Sequence, residues 1–158
     1  LPVSILLCAP AATPGGAAWD AKKLVGTYRL VERVAAGGGQ HKTPPEVLGS
    51  MTFSKTRRTV IMKWMSDDGE PVSIAQITDY TLSGGKYCES VEYGVQSNLG
   101  GPGVSYDTAS TSPACTAAIS DATGFSFEVP VEGLRIQVNR DKMTVTTKRW
   151  IDRWERVK

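Results

Sequence analysis

The sequence predicts an all-β protein: a single antiparallel β-barrel of eight or nine strands in up-and-down order. Apolar and polar residues alternate along most of the chain, and short turns rich in Gly, Asp and Asn separate the alternating stretches. No long window has the period of a helix. Consecutive strands joined by short turns form a meander, and closing a meander into a barrel removes its exposed edges.

The first predicted strand has two distinct faces. Its inner face carries Leu24, Gly26, Tyr28, Leu30 and Val34. Its outer face carries Thr27, Arg29 and Arg33.

The next four strands form two predicted pairs. Strands at 49–54 and 59–65 flank a basic turn that we interpret as solvated, with Lys55, Arg57 and Arg58. Strands at 74–82 and 86–93 are joined by Ser83-Gly84-Gly85 and preceded by Asp67-Asp68-Gly69, both typical turn sequences. The inner face of the last of these strands carries Tyr87, Glu89, Val91 and Tyr93.

Residues 94–123 are rich in Gly, Ser, Thr, Asn and Pro, which predicts one long irregular loop. Loops of this length are often functional, so we expect a protein partner to dock through this loop if the barrel has one. Alternation returns in four final strands, at 125–129, 134–138, 143–147 and 149–157.

Length and composition limit the classes of function. The 158 residues suit one domain, and 41% apolar residues allow a sizeable core. A net charge of +2 excludes the basic stripe of a dedicated nucleic-acid binder, so we expect no nucleic-acid partner. His41 is the only histidine, which excludes a multi-histidine metal site. The chain has no cofactor motif, and we expect no cofactor.

The first 18 residues form a separate region. Leu1–Cys8 is apolar, Ala9–Ala18 is uncharged and rich in small residues, and the first charge is Asp20. This order is typical of a signal peptide, so we predict a signal-peptide remnant or flexible leader over 1–18, a barrel domain over 19–158, and export to the periplasm or the medium. The run is shorter than the ~20 residues of a bilayer span, so we expect no transmembrane span. The alternatives are a plain disordered tail and a lipid anchor at Cys8.

Cys88 and Cys115 remain once the leader is removed. Two cysteines in an exported domain usually pair, so we predict a disulfide bond that ties a strand to the long loop. The alternative is two unconnected buried thiols.

The two ends of the barrel domain resemble a known family. Leu24-Val-Gly-Thr-Tyr-Arg-Leu-Val-Glu32 resembles the opening strand of bacterial lipocalin-like domains of the calycin type, and Arg153-Trp-Glu-Arg156 resembles their closing strand. The resemblance covers residues 22–158. It implies a barrel in which a first-strand aromatic residue plugs the base beneath an arginine of the last strand, so Tyr28 and Arg156 would form this structural pair. Such a cation–π contact contributes ~0.5–2 kcal/mol.

The sequence contains no convincing catalytic arrangement, and we predict no catalytic residue. The only candidate base, His41, lies between a glycine run and Pro44-Pro45, and the sequence offers it no orienting partner. Asp67, Asp68 and Glu70 cluster at a predicted hairpin tip, which is more typical of a solvated turn than of a calcium site. The pattern favours a binding module over an enzyme.

The inner faces supply a candidate ligand-binding lining. It combines aromatic and apolar side chains with few polar groups: Met62, Trp64, Gln76, Tyr80, Tyr87, Glu89, Tyr93, Phe125 and Phe127. A carboxylate inside a barrel must be paired, bound or protonated, so Glu89 is the most informative member. Two alternatives stay open: the same residues fit a filled core, and a one-residue slip would turn Glu89 to solvent.

Three functions fit this lining. The first is an exported lipocalin-like barrel that binds a small apolar or amphipathic ligand. The second is a filled structural or interaction barrel that serves as an accessory subunit of a larger assembly. The third and weakest is a calycin-type enzyme, a cyclase or isomerase, in which an inner acid such as Glu89 orients a substrate. An interior cavity of ~300 Å³ or more favours the first or third function.

Overall fold

The computed structural model describes residues 21–120 and 124–158, which form a closed antiparallel β-barrel. The predicted barrel class is confirmed. The predicted strand number was wrong, because ten strands form the barrel and two more described strands lie outside it. The predicted leader over 1–18 and Cys8 lie outside the described residues.

A 3-10 turn at Ala21–Lys23 leads into the first strand. In chain order the strands are β1 (Gly26–Ala35), β2 (His41–Lys42), β3 (Val47–Phe53), β4 (Arg57–Met65), β5 (Pro71–Ser83), β6 (Lys86–Ser97), β7 (Val104–Asp107), β8 (Ala114–Ser120), β9 (Phe125–Val129), β10 (Leu134–Asn139), β11 (Lys142–Thr146) and β12 (Trp150–Arg156). Within residues 21–120 and 124–158, no helix has the length and apolar character that crossing a membrane would require.

The barrel closes where β1 pairs with β12. Tyr28 lies opposite Arg156 at one end of this seam, and Ala35 lies opposite Trp150 at the other. Among the described strands, β2 pairs with β1 alone and β7 with β6 alone, so both lie outside the closed path.

The additional barrel strand comes from the segment that was predicted to be one irregular loop. β8 inserts between β6 and β9, and β7 pairs with the other end of β6. The β8 sequence, Ala-Cys-Thr-Ala-Ala-Ile-Ser, has small residues where other strands have large apolar ones. The expected irregular loop over 94–123 was wrong because a strand of small residues shows little alternation of hydrophobicity.

A tight hairpin fixes the register between β5 and β6. Gly84 and Gly85 have φ angles of +57° and +72°, which are the left-handed conformations that a type I′ turn requires at both central positions. Glycine adopts these angles without steric cost. The Gly-Gly pair therefore sets which residues of the two strands face inward.

Two β-bulges change the face that a residue occupies. In β1 the extra residue is Val31, and beyond this bulge Arg33 is buried. In β6 the extra residue is Glu92, and Tyr93 then lies opposite Ile77, on the outer face. A one-residue shift exchanges the two faces of a strand. The predictions that Arg33 faces outward and Tyr93 inward were wrong for this reason.

Aromatic side chains fill the end of the barrel at which β1 begins. Ring centroids lie 5.6 Å apart for Phe53 and Tyr80, 5.7 Å for Tyr80 and Tyr87, and 4.0 Å for Tyr87 and Phe127. Tyr28 packs edge-on against Phe53. We call this end the base, and we call the opposite end the mouth: the loops 66–70, 98–103, 130–133 and 147–149.

Candidate ligand-binding site

Two cavities adjoin each other at the mouth. The deeper cavity has a volume of about 480 Å³ and is lined by residues of β4, β5 and β6 that include Val60, Ile74 and Val91. The outer cavity, of about 680 Å³, lies among the loops of the mouth. Leu99 and Glu132 line both cavities, so the two form neighbouring parts of one candidate site.

A buried arginine contacts two residues that line the deeper cavity, Gln76 and Glu132. Arg58 is 1% exposed, and it precedes Val60 by one inward position on β4. Its Nη2 donates to Glu132 Oε1 at 2.9 Å, to Gln76 Oε1 at 3.2 Å and to Glu89 Oε2 at 3.2 Å. One cation therefore lies between two carboxylates inside the barrel. The interpretation of Arg58 as part of a solvated turn was wrong, because the inward alternation of β4 extends back to this residue.

Glu89 is the more deeply buried of the two carboxylates. Its side chain is 0% exposed, against 25% for Glu132. The Tyr87 hydroxyl donates to Glu89 Oε2 at 2.6 Å. Burial raises the pKa of the Glu89 carboxyl, while Arg58 and the Tyr87 hydrogen bond act in the opposite direction. Glu89 therefore faces the barrel interior, where it pairs with Arg58, and it does not point to solvent.

Two buried polar atoms beside this cluster have no hydrogen-bond partner among the described residues: Arg58 Nε and Thr78 Oγ1. Arg58 and Thr78 lie directly opposite each other on β4 and β5. A buried polar atom without a partner costs about 1–3 kcal/mol. The cluster therefore has hydrogen-bonding capacity that the described part of the chain does not use.

A second buried arginine lines the outer cavity. Arg33 Nε donates to Asp152 Oδ1 at 2.7 Å, and its Nη2 donates to Oδ2 at 2.8 Å. The guanidinium carbon of Arg33 lies 4.5 Å from a ring centroid of Trp64 and 5.4 Å from that of Trp150. Trp64 and Trp150 give the outer cavity an aromatic surface. Asp152 compensates the charge of Arg33.

Arg156 closes the base, far from both cavities. Its guanidinium carbon lies 4.8 Å from the Tyr28 ring centroid, and its Nη2 donates to the Tyr28 hydroxyl at 2.6 Å. Nη1 also donates to the Val25 carbonyl at 2.5 Å, and Nη2 to the Lys23 carbonyl at 2.6 Å. These hydrogen bonds join the start of the barrel domain to its last strand. The contact between Tyr28 and Arg156 therefore lies where it can stabilise the base of the barrel.

Cys88 and Cys115 form a disulfide bond. They lie directly opposite each other on β6 and β8. The expected tie from a strand to a loop was wrong in this detail, because Cys115 lies in a strand. The bond links two neighbouring barrel strands on the outer face.

The nine predicted lining residues fall into three groups. Trp64 lines the outer cavity and Gln76 the deeper one. Tyr93 lies on the outer face. The other six are packed in the interior: Met62, Tyr80, Tyr87, Glu89, Phe125 and Phe127. The lower interior is thus a filled core, and the empty volume lies above it.

The sequence analysis identified Glu89 but missed Arg58 and Glu132, the other two charged residues of the cluster. Arg58 carried a usable signal, because it continues the inward alternation of Val60, Met62 and Trp64. Glu132 lies in the turn 130–133, where hydrophobic alternation gives no information about direction.

The other chemistry-bearing residues lie outside this site. His41 is exposed, and its Nε2 lies 2.8 Å from Glu32 Oε2 on the outside of the barrel. In the described ranges, no group of three His, Cys, Asp or Glu side chains is placed to hold a metal ion. Comparison of the chain with protein-family models, with curated proteins and with solved structures finds no match.

Proposed function

We propose that this barrel binds a small amphipathic molecule through its mouth. The observation that carries the proposal is the deeper cavity, whose volume of about 480 Å³ falls within the ~300–1,000 Å³ of ligand sites. Val60, Ile74 and Val91 supply apolar wall, while Gln76 and Glu132 supply a few polar groups. This composition suits a ligand with an apolar body and one polar end.

Two further parts of the proposal rest on the sequence. The opening and closing motifs support membership of a lipocalin-like family, whose barrels carry ligands at their open end. The Cys88–Cys115 bond supports an oxidising compartment, since such bonds form mainly in exported proteins. We therefore propose an exported carrier or sensor of a small molecule.

A neutral apolar fluorescent probe tests the binding function. We expect saturable binding, because burying apolar surface contributes ~25 cal/mol per Å² before the costs of association. Val91→Trp places a large ring in the deeper cavity and should weaken binding at least tenfold. Ile61→Trp is the matched control, because Ile61 is 57% exposed on the outer face of β4, and its affinity should stay within twofold. Calorimetry avoids optical interference from the new tryptophans.

One observation favours the second candidate function, an interaction barrel. An apolar groove of about 870 Å³ lies on the outside of β1, β3 and β4, with Leu48, Ile61 and Val157 exposed in it. Contiguous apolar surface often marks a protein interface. Absence of saturable probe binding in the natural chain would overturn the carrier proposal and favour this candidate.

A further inference from the structure

We infer that the ligand carries a carboxylate, and that this group takes the place of Glu132 on Arg58. The inference rests on the proposed function and names the chemical class of the ligand. Without a ligand, the Glu132 carboxylate accepts the hydrogen bond from Arg58. The carboxylate of the ligand would displace Glu132 and accept this bond instead.

Arg58 has more hydrogen-bond acceptors and more negative charge around it than it can satisfy at once. The hydrogen bonds from Arg58 to described residues all leave from Nη2, which reaches Glu132, Gln76 and both oxygens of Glu89 at 2.9–3.4 Å. An Nη2 group has two hydrogens, so four acceptors compete for them. Two carboxylates facing one guanidinium also repel each other. One of these carboxylates is therefore exchangeable.

The exchangeable carboxylate is that of Glu132. Glu89 is held from below by the Tyr87 hydroxyl at 2.6 Å and has no exposed side-chain surface. Glu132 belongs to the turn 130–133 at the mouth, lines both cavities and is 25% exposed. A ligand that enters through the mouth meets Glu132 before it meets Glu89.

Arg58 and its neighbour Thr78 have hydrogen-bonding capacity that the described residues do not use. Arg58 Nε and Thr78 Oγ1 are buried and lack partners in the described part of the chain. A carboxylate has two oxygens that accept hydrogen bonds, so it can accept from the guanidinium and from the threonine hydroxyl together. Glu132 engages Nη2 and leaves both of these atoms unpaired.

The chemistry of the head group follows from the charge of the cluster. Exchange of one carboxylate for another leaves the charge around Arg58 unchanged. A cationic head group would lie against the positive charge of Arg58. A neutral head group would displace the Glu132 carboxylate without supplying another negative charge. A hydrogen bond between two charged groups is roughly twice as strong as one between neutral groups, and a cationic head would be repelled by Arg58, so the site selects acids over amides and amines.

Three probes with one fluorescent alkyl tail and different heads test the inference: a carboxylate, its primary amide and its amine. The natural chain should bind the carboxylate at least tenfold more tightly than the amide, and the amine most weakly. Glu132→Gln removes the competing charge, so it should raise carboxylate affinity about tenfold while changing amide affinity less than threefold. Glu128→Gln is the matched control, because Glu128 is an exposed residue of neighbouring β9. It should leave both affinities unchanged.

A second variant tests whether Arg58 binds the carboxylate of the ligand. Arg58→Met alone would leave Glu89 buried without its cation, so it is combined with Glu89→Gln. This double variant should bind carboxylate and amide equally. If it fails to fold by circular dichroism, Glu132→Gln decides the question alone.

The outcomes separate this inference from the proposed function. Equal binding of carboxylate and amide by the natural chain, or unchanged carboxylate affinity in Glu132→Gln, would overturn the inference and leave the binding function intact. Binding of none of the probes would overturn the proposed function, and with it the inference.

Discussion

Arg33 and Asp152 form a bidentate ion pair inside the barrel, with N–O distances of 2.7 and 2.8 Å. They lie directly opposite each other on β1 and β12, the two strands whose pairing closes the barrel. Trp64 and Trp150 flank the guanidinium. Neither charge could be buried alone, so each residue requires the other.

Asp152→Asn should destabilise the protein by ~3–5 kcal/mol, because it leaves the Arg33 charge buried without its counterion. Urea unfolding followed by tryptophan fluorescence measures this loss. The double variant Arg33→Met, Asp152→Leu should recover most of it, since apolar residues of similar size often replace a buried pair at little cost. The Glu32–Arg153 pair, in which Arg153 is exposed and Glu32 half-buried, occupies the adjacent position of the same two strands. Glu32→Gln should therefore have little effect, and equal losses from both pairs would contradict this account.

The buried position of Arg33 could not be predicted from the sequence. Alternation from Tyr28 and Leu30 places residue 33 on the outer face, and only the bulge at Val31 brings it inward. A bulge of this kind leaves no mark in the pattern of apolar residues. The same reason explains Tyr93, which lies beyond the bulge at Glu92.

Other parts of the molecule were predictable from the residues. Large inward side chains and glycine turns identify nine of the ten barrel strands, and the tenth was missed because β8 consists mainly of small residues. Arg58 was misjudged because a charge beside a turn is usually solvated. Its partner Glu132 lies in a turn 74 residues further along the chain. The local pattern of residues contains no information about a contact between two such distant positions.

Gly26→Ala should destabilise the base of the barrel by ~1–3 kcal/mol. A Cβ at this position would lie 2.2 Å from Arg156 Nη1, and Gly26 has a φ of +153° that side chains rarely adopt. The clash would displace the guanidinium from Tyr28. Chemical unfolding of Gly26→Ala, Arg156→Leu and the double variant measures the coupling. The second substitution should cost less in the presence of the first, and strictly additive losses would show that the two residues do not interact.

Reduction of the Cys88–Cys115 bond should lower the free energy of unfolding by roughly 3.5 kcal/mol, the loop-entropy value for a sequence separation of 27 residues. Urea unfolding with and without a phosphine reductant gives the difference. The variant Cys88→Ser, Cys115→Ser should match the reduced protein and respond no further to reductant. Two thiols that react freely in the unreduced, unfolded protein would contradict the bond.

The pKa of Glu89 gives the protein a pH dependence whose sign is fixed by burial. Because its pKa is raised in the folded state, Glu89 holds its proton above the ~4.3 at which an unfolded glutamic acid loses it. In that window the folded state binds more protons than the unfolded state, so the contribution of Glu89 to stability is complete below ~4.3 and is lost as pH rises through the folded pKa.

Glu89→Gln removes this titration and keeps an acceptor for the Tyr87 hydroxyl. The stability of the natural chain minus that of Glu89→Gln should therefore be largest in acid, decrease as pH rises, and level off above the folded pKa. Urea unfolding at a series of pH values from 4 to 7 measures this difference. Glu128→Gln, at an exposed position of β9, controls for the loss of one carboxylate and should show no such decrease. A difference that grows with pH would contradict this account, because it would mean that the pairing with Arg58 outweighs burial and lowers the pKa of Glu89.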